Sequence, residues 1–331
     1  MKNNHFIFYG IVILLLLITS LASLAIGSAD IPITDLIKGL MGTGDQTIQT
    51  IVRDLRLPRL IIGLVTGATL GMMGAALQGL LRNPMADPGI LGVSASASLG
   101  AVIAIYYGIA ASITLAVPLL AISGAMITTI ILYMLSRRDS SMLTLILVGI
   151  GLGSLAAAIM SLFINFAPTA ASLRDIVMWL LGSLENRTTT DLILVMPFIL
   201  VGWLLIIGTG RGLNALALGE DAAISLGVPL NRIRWQIVFG SALAVGATVS
   251  VTGAIGFVGL IVPHVVRIII GNTPGNLILP SAALGALFLT SADLLTRIDV
   301  GNGQLRLGVV MSIIGAPLFL AIIYRTRGAM R

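Results

Sequence analysis

Cysteine is absent from this 331-residue chain, and charged residues are scarce, at 10% of the sequence. Without cysteine the chain can form neither a disulfide nor a thiolate metal site. Soluble domains carry about 25% charged residues, whereas here 57% of the residues are hydrophobic and the mean hydropathy is +1.07. The composition therefore predicts a polytopic membrane protein. In such a chain basic residues lie mainly in loops, so the net charge of +6 does not indicate nucleic-acid binding.

Segments free of Asp, Glu, Lys and Arg mark the candidate membrane helices. The predicted spans are residues 6–27, 60–81, 89–109, 112–135, 141–166, 192–210, 235–257, 258–271, 276–292 and 307–324. The first resembles a signal peptide but is long enough to span, so we expect it to remain as a helix. The segment 258–271 is only a tenth candidate, because it contains Arg267 and is short and broken by Pro263. Residues 171–187 predict an interfacial helix. The expected fold is all-α, a single transmembrane domain over residues 1–331 with ten membrane helices.

The distribution of basic residues predicts how the chain is oriented. With ten spans both termini lie on one side, and that side holds eleven of the nineteen Lys and Arg residues. Because basic residues are enriched in cytoplasmic loops, both termini are expected in the cytoplasm. Three arginines, Arg53, Arg56 and Arg59, then cluster on the outer side. Their position runs against the orientation rule and calls for a separate explanation.

Short motifs recur along the chain and suggest two related halves. The pattern GAT-x4-GA begins at Gly67 and again at Gly246, 179 residues later, and Pro84 and Pro263 follow at the same offset. The triplet beginning at Leu99 is echoed by one beginning at Leu284. The copies fall near helices 2–5 and 7–10. Five spans separate their starts, so the halves would point in opposite directions, as in the inverted repeats of transporters.

The predicted spans contain no acidic or lysine residue at mid-depth, the kind of group that couples ions to transport. His264 beside a proline is better read as a packed residue, and Gln78 as a helix–helix hydrogen bond. No phosphate-binding loop motif is present either, so the chain itself does not hydrolyse ATP. These absences favour a transporter powered by a partner subunit. An ion-coupled secondary transporter is the alternative from another class, and a structural scaffold is a third.

One polar segment interrupts the apolar sequence where such a partner would bind. Residues 212–232 read as two short helices on the cytoplasmic side, with acidic Glu220 and Asp221 at the start of the second. Gly227 and Pro229 end it, as helix stop signals do. The competing interpretation is a solvated loop, although loops of this length without structure are uncommon. The residues expected to contact the partner are Leu216, Leu218, Gly219, Glu220, Asp221, Ala222, Ala223, Leu226 and Gly227.

Seven longer segments together resemble a known family. They are RLPR (56–59), GAALQGLLRNPMADPGILGVSASASLGA (74–101), WLLGSL (179–184), ALGEDAAISLGV (217–228), GAIGFVGLIVPHVVRIIIG (253–271), ADLLTR (292–297) and LGVVMSIIGAPLFL (307–320). In this order they are similar to the FecCD-type permeases of binding-protein-dependent ABC importers for iron-siderophores, haem and cobalamin. The segments cover nearly the whole chain.

The resemblance implies a bacterial inner-membrane protein that works in a complex. Two permease subunits, expected to be a homodimer, would join two cytoplasmic ATPase subunits and a periplasmic binding protein. ATP and Mg would be bound by the ATPases, and this chain would carry no cofactor and no metal site. The expected cargo is an iron chelate, with haem or cobalamin as the alternative.

The resemblance also assigns residues to the outer side and to the path. Arg56, Arg59 and Arg297 match positions that receive acidic residues of the binding protein, a task that suits the arginine fork. Ser140 and Ser141 fall where the family narrows the substrate path between helices 5 and 10. One loop departs from the family: residues 304–306 read Gln-Leu-Arg where Glu-Leu-Pro is usual.

Overall fold

The computed structural model describes residues 2–27, 29, 31–113, 115–136, 142–298 and 305–327, and these residues form helices and no strand. The α-helices are α1 Lys2–Ala25, α2 Ile33–Met41, α3 Gln46–Thr50, α4 Leu57–Leu80, α5 Val93–Tyr106, α6 Ile109–Ser112, α7 Ala116–Ser136, α8 Met142–Asn165, α9 Ala170–Leu180, α10 Thr189–Ile207, α11 Gly210–Leu216, α12 Glu220–Ser225, α13 Leu230–Thr252, α14 Val258–Ile270, α15 Pro274–Leu295 and α16 Leu307–Arg327. A π-helix, Ile51–Arg56, leads into α4, and a short 3-10 helix, Pro88–Leu91, precedes α5.

The all-helical prediction is confirmed, and a helix stands at each predicted span. Eight helices of the described chain are long and apolar enough to cross a membrane: α1, α4 with the turns before it, α7, α8, α10, α13, α15 and α16. The other two, α5 and α14, are apolar but shorter. The count of ten membrane helices therefore stays a prediction. The expected interfacial helix is α9, which begins at a Thr169–Ser172 capping box and ends at Leu180.

Two of the long helices form the centre of the molecule. In α4 and α13, 78% of the apolar stretch that could cross a membrane is buried inside the protein. The buried share is 17% in α8 and 22% in α1, α10 and α16. Helix α4 packs chiefly on α15, and α13 lies between α7 and α10. The outer helices therefore leave most of their apolar surface available to lipid or to other subunits.

Glycines allow the central helices to approach closely. A Cβ atom on Gly67 would meet the carbonyl of Gly285 in α15, and one on Gly74 would meet the carbonyl of Gly259 in α14. Contact between backbones is how small residues promote packing in membranes. Gly253 differs, because it ends α13 with φ of 70° and lies against the carbonyl of Trp179 at the end of α9.

Helix α14 runs through Pro263 because a side chain compensates for the missing donor. Proline has no N–H to bond the carbonyl four residues earlier, which here belongs to Gly259. The Gln78 Nε2 atom donates to the Gly259 carbonyl at 3.2 Å and also to that of Leu260 at 3.2 Å. Arg267 in turn donates to Gln78 Oε1 at 2.9 Å. Gln78 is thus a helix–helix hydrogen bond, as the sequence predicts.

The lengths of the helices support the predicted repeat more than the individual recurring motifs do. The helices α4, α5, α7 and α8 have 24, 14, 21 and 24 residues, and α13 to α16 have 23, 13, 22 and 21. The order long, short, long, long therefore occurs twice. By contrast, Gly100 lies on α5 but Gly285 on α15, and Pro84 lies in a turn but Pro263 in a helix. The recurring triplet and the recurring proline therefore do not lie at equivalent positions of the two halves. The inverted repeat stays a prediction.

Candidate functional site: the coupling surface and the outer arginines

The segment 212–232 forms two short helices, α11 and α12, before it enters α13. Leu213 and Leu216 of α11 are buried, and α11 packs against the ends of α4 and α15. A Cβ on Gly79 of α4 would lie 3.4 Å from the Leu213 methyl groups. Ala223 of α12 is also buried. The pair is therefore fixed to the ends of the central helices by its apolar residues, and it is not a free loop.

The opposite face of this pair is exposed. Leu218 and Leu226 are 72% and 65% exposed, Ile224 is exposed as well, and Glu220 and Asp221 lie between them. Gly219, with φ of 118°, makes the turn between α11 and α12, and Gly227, with φ of 74°, makes the turn after α12. We call the exposed residues Leu218, Glu220, Asp221, Ile224 and Leu226 the coupling surface.

The nine residues predicted to contact a partner divide into two groups. Leu216 and Ala223 are buried within the chain, so they anchor the helices rather than form the contact surface. The others are exposed or half-exposed, namely Leu218, Gly219, Glu220, Asp221, Ala222, Leu226 and Gly227. Glu220 Oε1 also lies 3.9 Å from the guanidinium of Arg234, a mostly buried residue of α13. The acid that begins α12 therefore faces an internal cation as well as solvent.

At the predicted outer side, Arg56 binds the end of the first helix. Its Nη1 atom donates to the carbonyls of Leu24 at 2.6 Å and Ala25 at 2.8 Å, and its Nη2 atom donates to Ala29 at 2.6 Å. The last carbonyls of a helix have no partner within the helix, so a buried guanidinium is a suitable cap. Arg56 is 7% exposed.

Arg59 and Arg297 share one carboxylate. Arg59 donates to both oxygens of Asp293, from Nε to Oδ2 at 3.0 Å and from Nη2 to Oδ1 at 2.8 Å, and Arg297 Nη2 also donates to Oδ2 at 2.8 Å. Arg297 also donates to the carbonyls of Ser23 and Ile26 in the first segment. Burial lowers the pKa of Arg297, and the adjacent Asp293 carboxylate opposes that shift.

Three arginines predicted to dock a binding protein are thus bonded within the chain, and together with Asp293 they join α1, α4 and α15. We call these four residues, Arg56, Arg59, Asp293 and Arg297, the outer arginine cluster. The docking role of its arginines stays a prediction. If they also meet acidic groups of another protein, they do so from positions already fixed by internal bonds.

Arg306, which stands where the family usually has proline, forms an ion pair within the chain. Its Nη1 atom lies 3.1 Å from Glu185 Oε2, in the loop between α9 and α10, and both side chains are about 30% exposed. The basic residue therefore forms an ion pair across two loops, directly before α16. Gln304 lies outside the described residues.

The predicted path residues, Ser140 and Ser141, also lie outside the described residues. The helices expected to line the path, α8 and α16, are among the least buried long helices. Among the residues that the structure describes, no group of three or more His, Asp and Glu side chains could hold a metal ion.

Known proteins resemble this chain along almost its whole length. Residues 15–325 match the FecCD transport family. The chain belongs to the FecCD transport family. It is 38% identical to an uncharacterized ABC transporter permease protein of Bacillus subtilis, YvrB, over 98% of this chain and 95% of that protein. It is 40% identical to the vitamin B12 import system permease protein BtuC of Vibrio cholerae, over 84% of this chain and 83% of that one.

A solved structure agrees with the FecCD assignment. The fold matches an inward-facing conformation of a transporter described as a metal-chelate type ABC transporter, with a TM-score of 0.86 and 30% identity, over 96% of this chain and 99% of that one. The FecCD chain is therefore the permease subunit of an ABC importer and not itself the ATP-hydrolysing subunit. The family implies a partner ATPase and a substrate-binding protein.

The sequence assigns no role to three charged residues of this permease that the structure places at notable positions. Asp293 lies in the ADLLTR motif but just beyond the predicted span, and its partner Arg59 is 234 residues away. Glu185 and Arg187 fall at the end of the predicted interfacial helix 171–187, but α9 ends at Leu180 and both residues lie in the loop that follows. Charge in a loop next to a membrane helix was the only available signal, and it does not identify a partner.

Proposed function

We propose that this FecCD permease carries a metal chelate from a periplasmic binding protein into the cytoplasm, as one of two identical permease subunits. Its coupling surface would receive the ATPase subunits, which alone bind ATP and Mg, and the chain itself would bind no cofactor. Both termini would lie in the cytoplasm of a bacterial inner membrane. The observation that carries this proposal is the exposed coupling surface on a pair of short helices that buried Leu213, Leu216 and Ala223 hold in place.

An iron chelate is the cargo that the sequence predicts, and cobalamin is the second candidate. The similarity to a metal-chelate type transporter supports the broader class. Relatives in Vibrio cholerae and Halobacterium salinarum are named as vitamin B12 or cobalamin import permeases, at 40% and 36% identity. This naming favours cobalamin, which is itself a metal chelate.

Competition between the two chelates tests the proposal. The permease, its ATPase and its binding protein are reconstituted into proteoliposomes, and uptake of radiolabelled cyanocobalamin and of a radiolabelled ferric siderophore is measured with ATP. We expect one of them to accumulate and an excess of the same unlabelled chelate, but not of the other, to block its uptake. Uptake of neither chelate would overturn the assignment to these cargoes.

A further inference from the structure

A polar cavity of about 400 Å³ lies where α9, α13 and α16 meet. Its lining includes Asp175 and Trp179 of α9, Glu185 and Arg187 of the next loop, Thr252 at the end of α13, and Arg306 directly before α16. Small-molecule pockets measure about 300–1,000 Å³. The cavity is therefore large enough for part of a small molecule and larger than a single carboxylate requires.

Backbone hydrogen bonds hold the walls of this cavity together. The Ser183 amide donates to the Thr252 carbonyl at 2.8 Å, which joins the α9–α10 loop to the end of α13. The Leu307 amide donates to Gly182 at 3.1 Å, and the Gly308 amide to Leu181 at 3.0 Å. The start of α16 is thereby joined to the same loop. The cavity is formed in advance of any ligand.

Among the described residues that line this cavity, Arg187 is the basic group without a partner, and the exposed Asp175 of α9 is an acidic group without one. Glu185 is bound by Arg306, and the nearby Asp191 accepts from the amide and hydroxyl of Thr188 at 2.8 and 2.9 Å, as the cap of α10. Among the residues that the structure describes, Arg187 has no hydrogen bond and no ion pair within 4 Å, and its Nε atom is buried.

Other partly or fully buried arginines of the described chain have partners, unlike Arg187. Arg234 and Arg297 also have a buried Nε atom without a hydrogen bond, but their Nη atoms bind Glu220 and Asp293 respectively. Arg59 meets a carboxylate with Nε and Nη2 together. Arg56 donates to backbone carbonyls and Arg267 to Gln78 Oε1, so each of these arginines has at least one hydrogen-bond or ion-pair partner.

The surroundings of this half-buried side chain favour an anionic partner. Burial lowers the pKa of Arg187, and the Asp191 carboxylate opposes the shift more than any other group. A guanidinium nevertheless stays protonated in proteins. A shielded charge without a partner is costly, and an oxyanion that accepts hydrogen bonds from it removes that cost.

We propose that this cavity is a carboxylate subsite in which Arg187 binds an acidic group of the transported small molecule. The inference rests on the proposed function, and of its two candidate cargoes it concerns the ferric siderophore, because cobalamin carries amides and a phosphodiester but no carboxylate. The position of the cavity beside the start of α16, a helix expected to line the path, suits a group that is held while the molecule enters.

Citrate serves as the probe for this subsite. The purified permease–ATPase complex in detergent is heated in rising sodium citrate and, in parallel, in sodium chloride of equal ionic strength. We expect citrate to raise the melting temperature of the wild type saturably, beyond the effect of chloride. Arg187→Gln should lose this increment, and Arg187→Lys, which keeps the charge, should retain part of it. Arg174→Gln is the matched control, because Arg174 is an exposed arginine of α9 that does not line the cavity.

The same melting-temperature measurements can also refute the proposal. Without citrate, Arg187→Gln should melt no lower than the wild type, because it removes a shielded charge that has no partner. An equal citrate increment in Arg187→Gln and wild type overturns the subsite. A wild type whose melting temperature citrate does not raise also overturns the subsite, because Arg187 would then not bind a free carboxylate. Slower association of the binding protein with Arg187→Gln, at an unchanged citrate increment, would assign Arg187 to docking and also overturn it.

ATP-driven chelate uptake, measured on the same preparation, separates this inference from the proposed function. Uptake without a citrate increment rejects only the subsite. A citrate increment that depends on Arg187, without uptake of either chelate, rejects the proposed cargo and leaves the carboxylate subsite standing.

Discussion

A single carboxylate, that of Asp293, holds two of the outer arginines in place. It is buried, and it receives Arg59 and Arg297 at 2.8 Å each. Removing one member of a buried ion pair leaves the other charged and shielded, which costs about 3–5 kcal/mol. Here one deletion leaves two such cations.

Asp293→Ala is therefore expected to destabilise the permease by at least this amount and to lower its melting temperature in detergent. Asp54→Ala provides the control, since Asp54 is an exposed acid near the same arginines and makes no ion pair within the described residues. Equal melting temperatures for the two variants would mean that the cluster contributes nothing to stability.

Sequence reasoning at this scale succeeds where a residue's chemistry is local. Gln78 in an apolar helix has few tasks other than bonding another helix, and it does so. Arg56 and Arg59 were recognised as unusual on the outer side, but their internal partners were not. The Arg59–Asp293 pair joins residues 234 positions apart, so only the packing of α4 on α15 reveals it.

Among the elements, the pair α11–α12 carries the clearest functional prediction. Leu218→Asp places a charge on the exposed coupling surface without disturbing the buried Leu213 and Leu216. We expect this variant to insert and fold normally but to co-purify with at least tenfold less ATPase, about 1.4 kcal/mol. The ratio of ATPase to permease after affinity purification measures this.

Leu55→Asp is the matched control for that measurement, because Leu55 is also an exposed leucine but lies in the π-helix before α4. It should leave the ratio unchanged. Equal ATPase recovery with Leu218→Asp and Leu55→Asp would show that the coupling surface does not bind the ATPase.

The positions of the long helices could be predicted because uninterrupted apolar segments have few other uses. Their ends could not, since α15 continues to Leu295 and buries Asp293 beyond the predicted limit at 292. Pro263 suggested a broken span, whereas α14 is continuous from Val258 to Ile270. The carbonyl freed by Pro263 is satisfied by Gln78, a contact between two helices that no local pattern encodes.

For the whole molecule, the family assignment implies that a partner ATPase supplies the energy for transport. The centre of the described chain consists of α4, α13 and α15, and glycines allow α4 and α15 to approach closely. Of its buried ionic residues, Asp293 binds Arg59 and Arg297, and Arg234 lies near Glu220. The coupling surface belongs to the pair α11–α12, and α11 packs on α4 and α15 of this centre. The FecCD assignment rests on the entire length, from residue 15 to residue 325.

The most direct test of this account is the energy source for uptake. Proteoliposomes that contain the permease and ATPase are supplied with loaded binding protein, and chelate accumulation is followed with ATP, with a non-hydrolysable analogue, and with an uncoupler that removes ion gradients. The account predicts accumulation with ATP alone, none with the analogue, and no loss with the uncoupler. Accumulation driven by an imposed ion gradient in vesicles that lack the ATPase would contradict it.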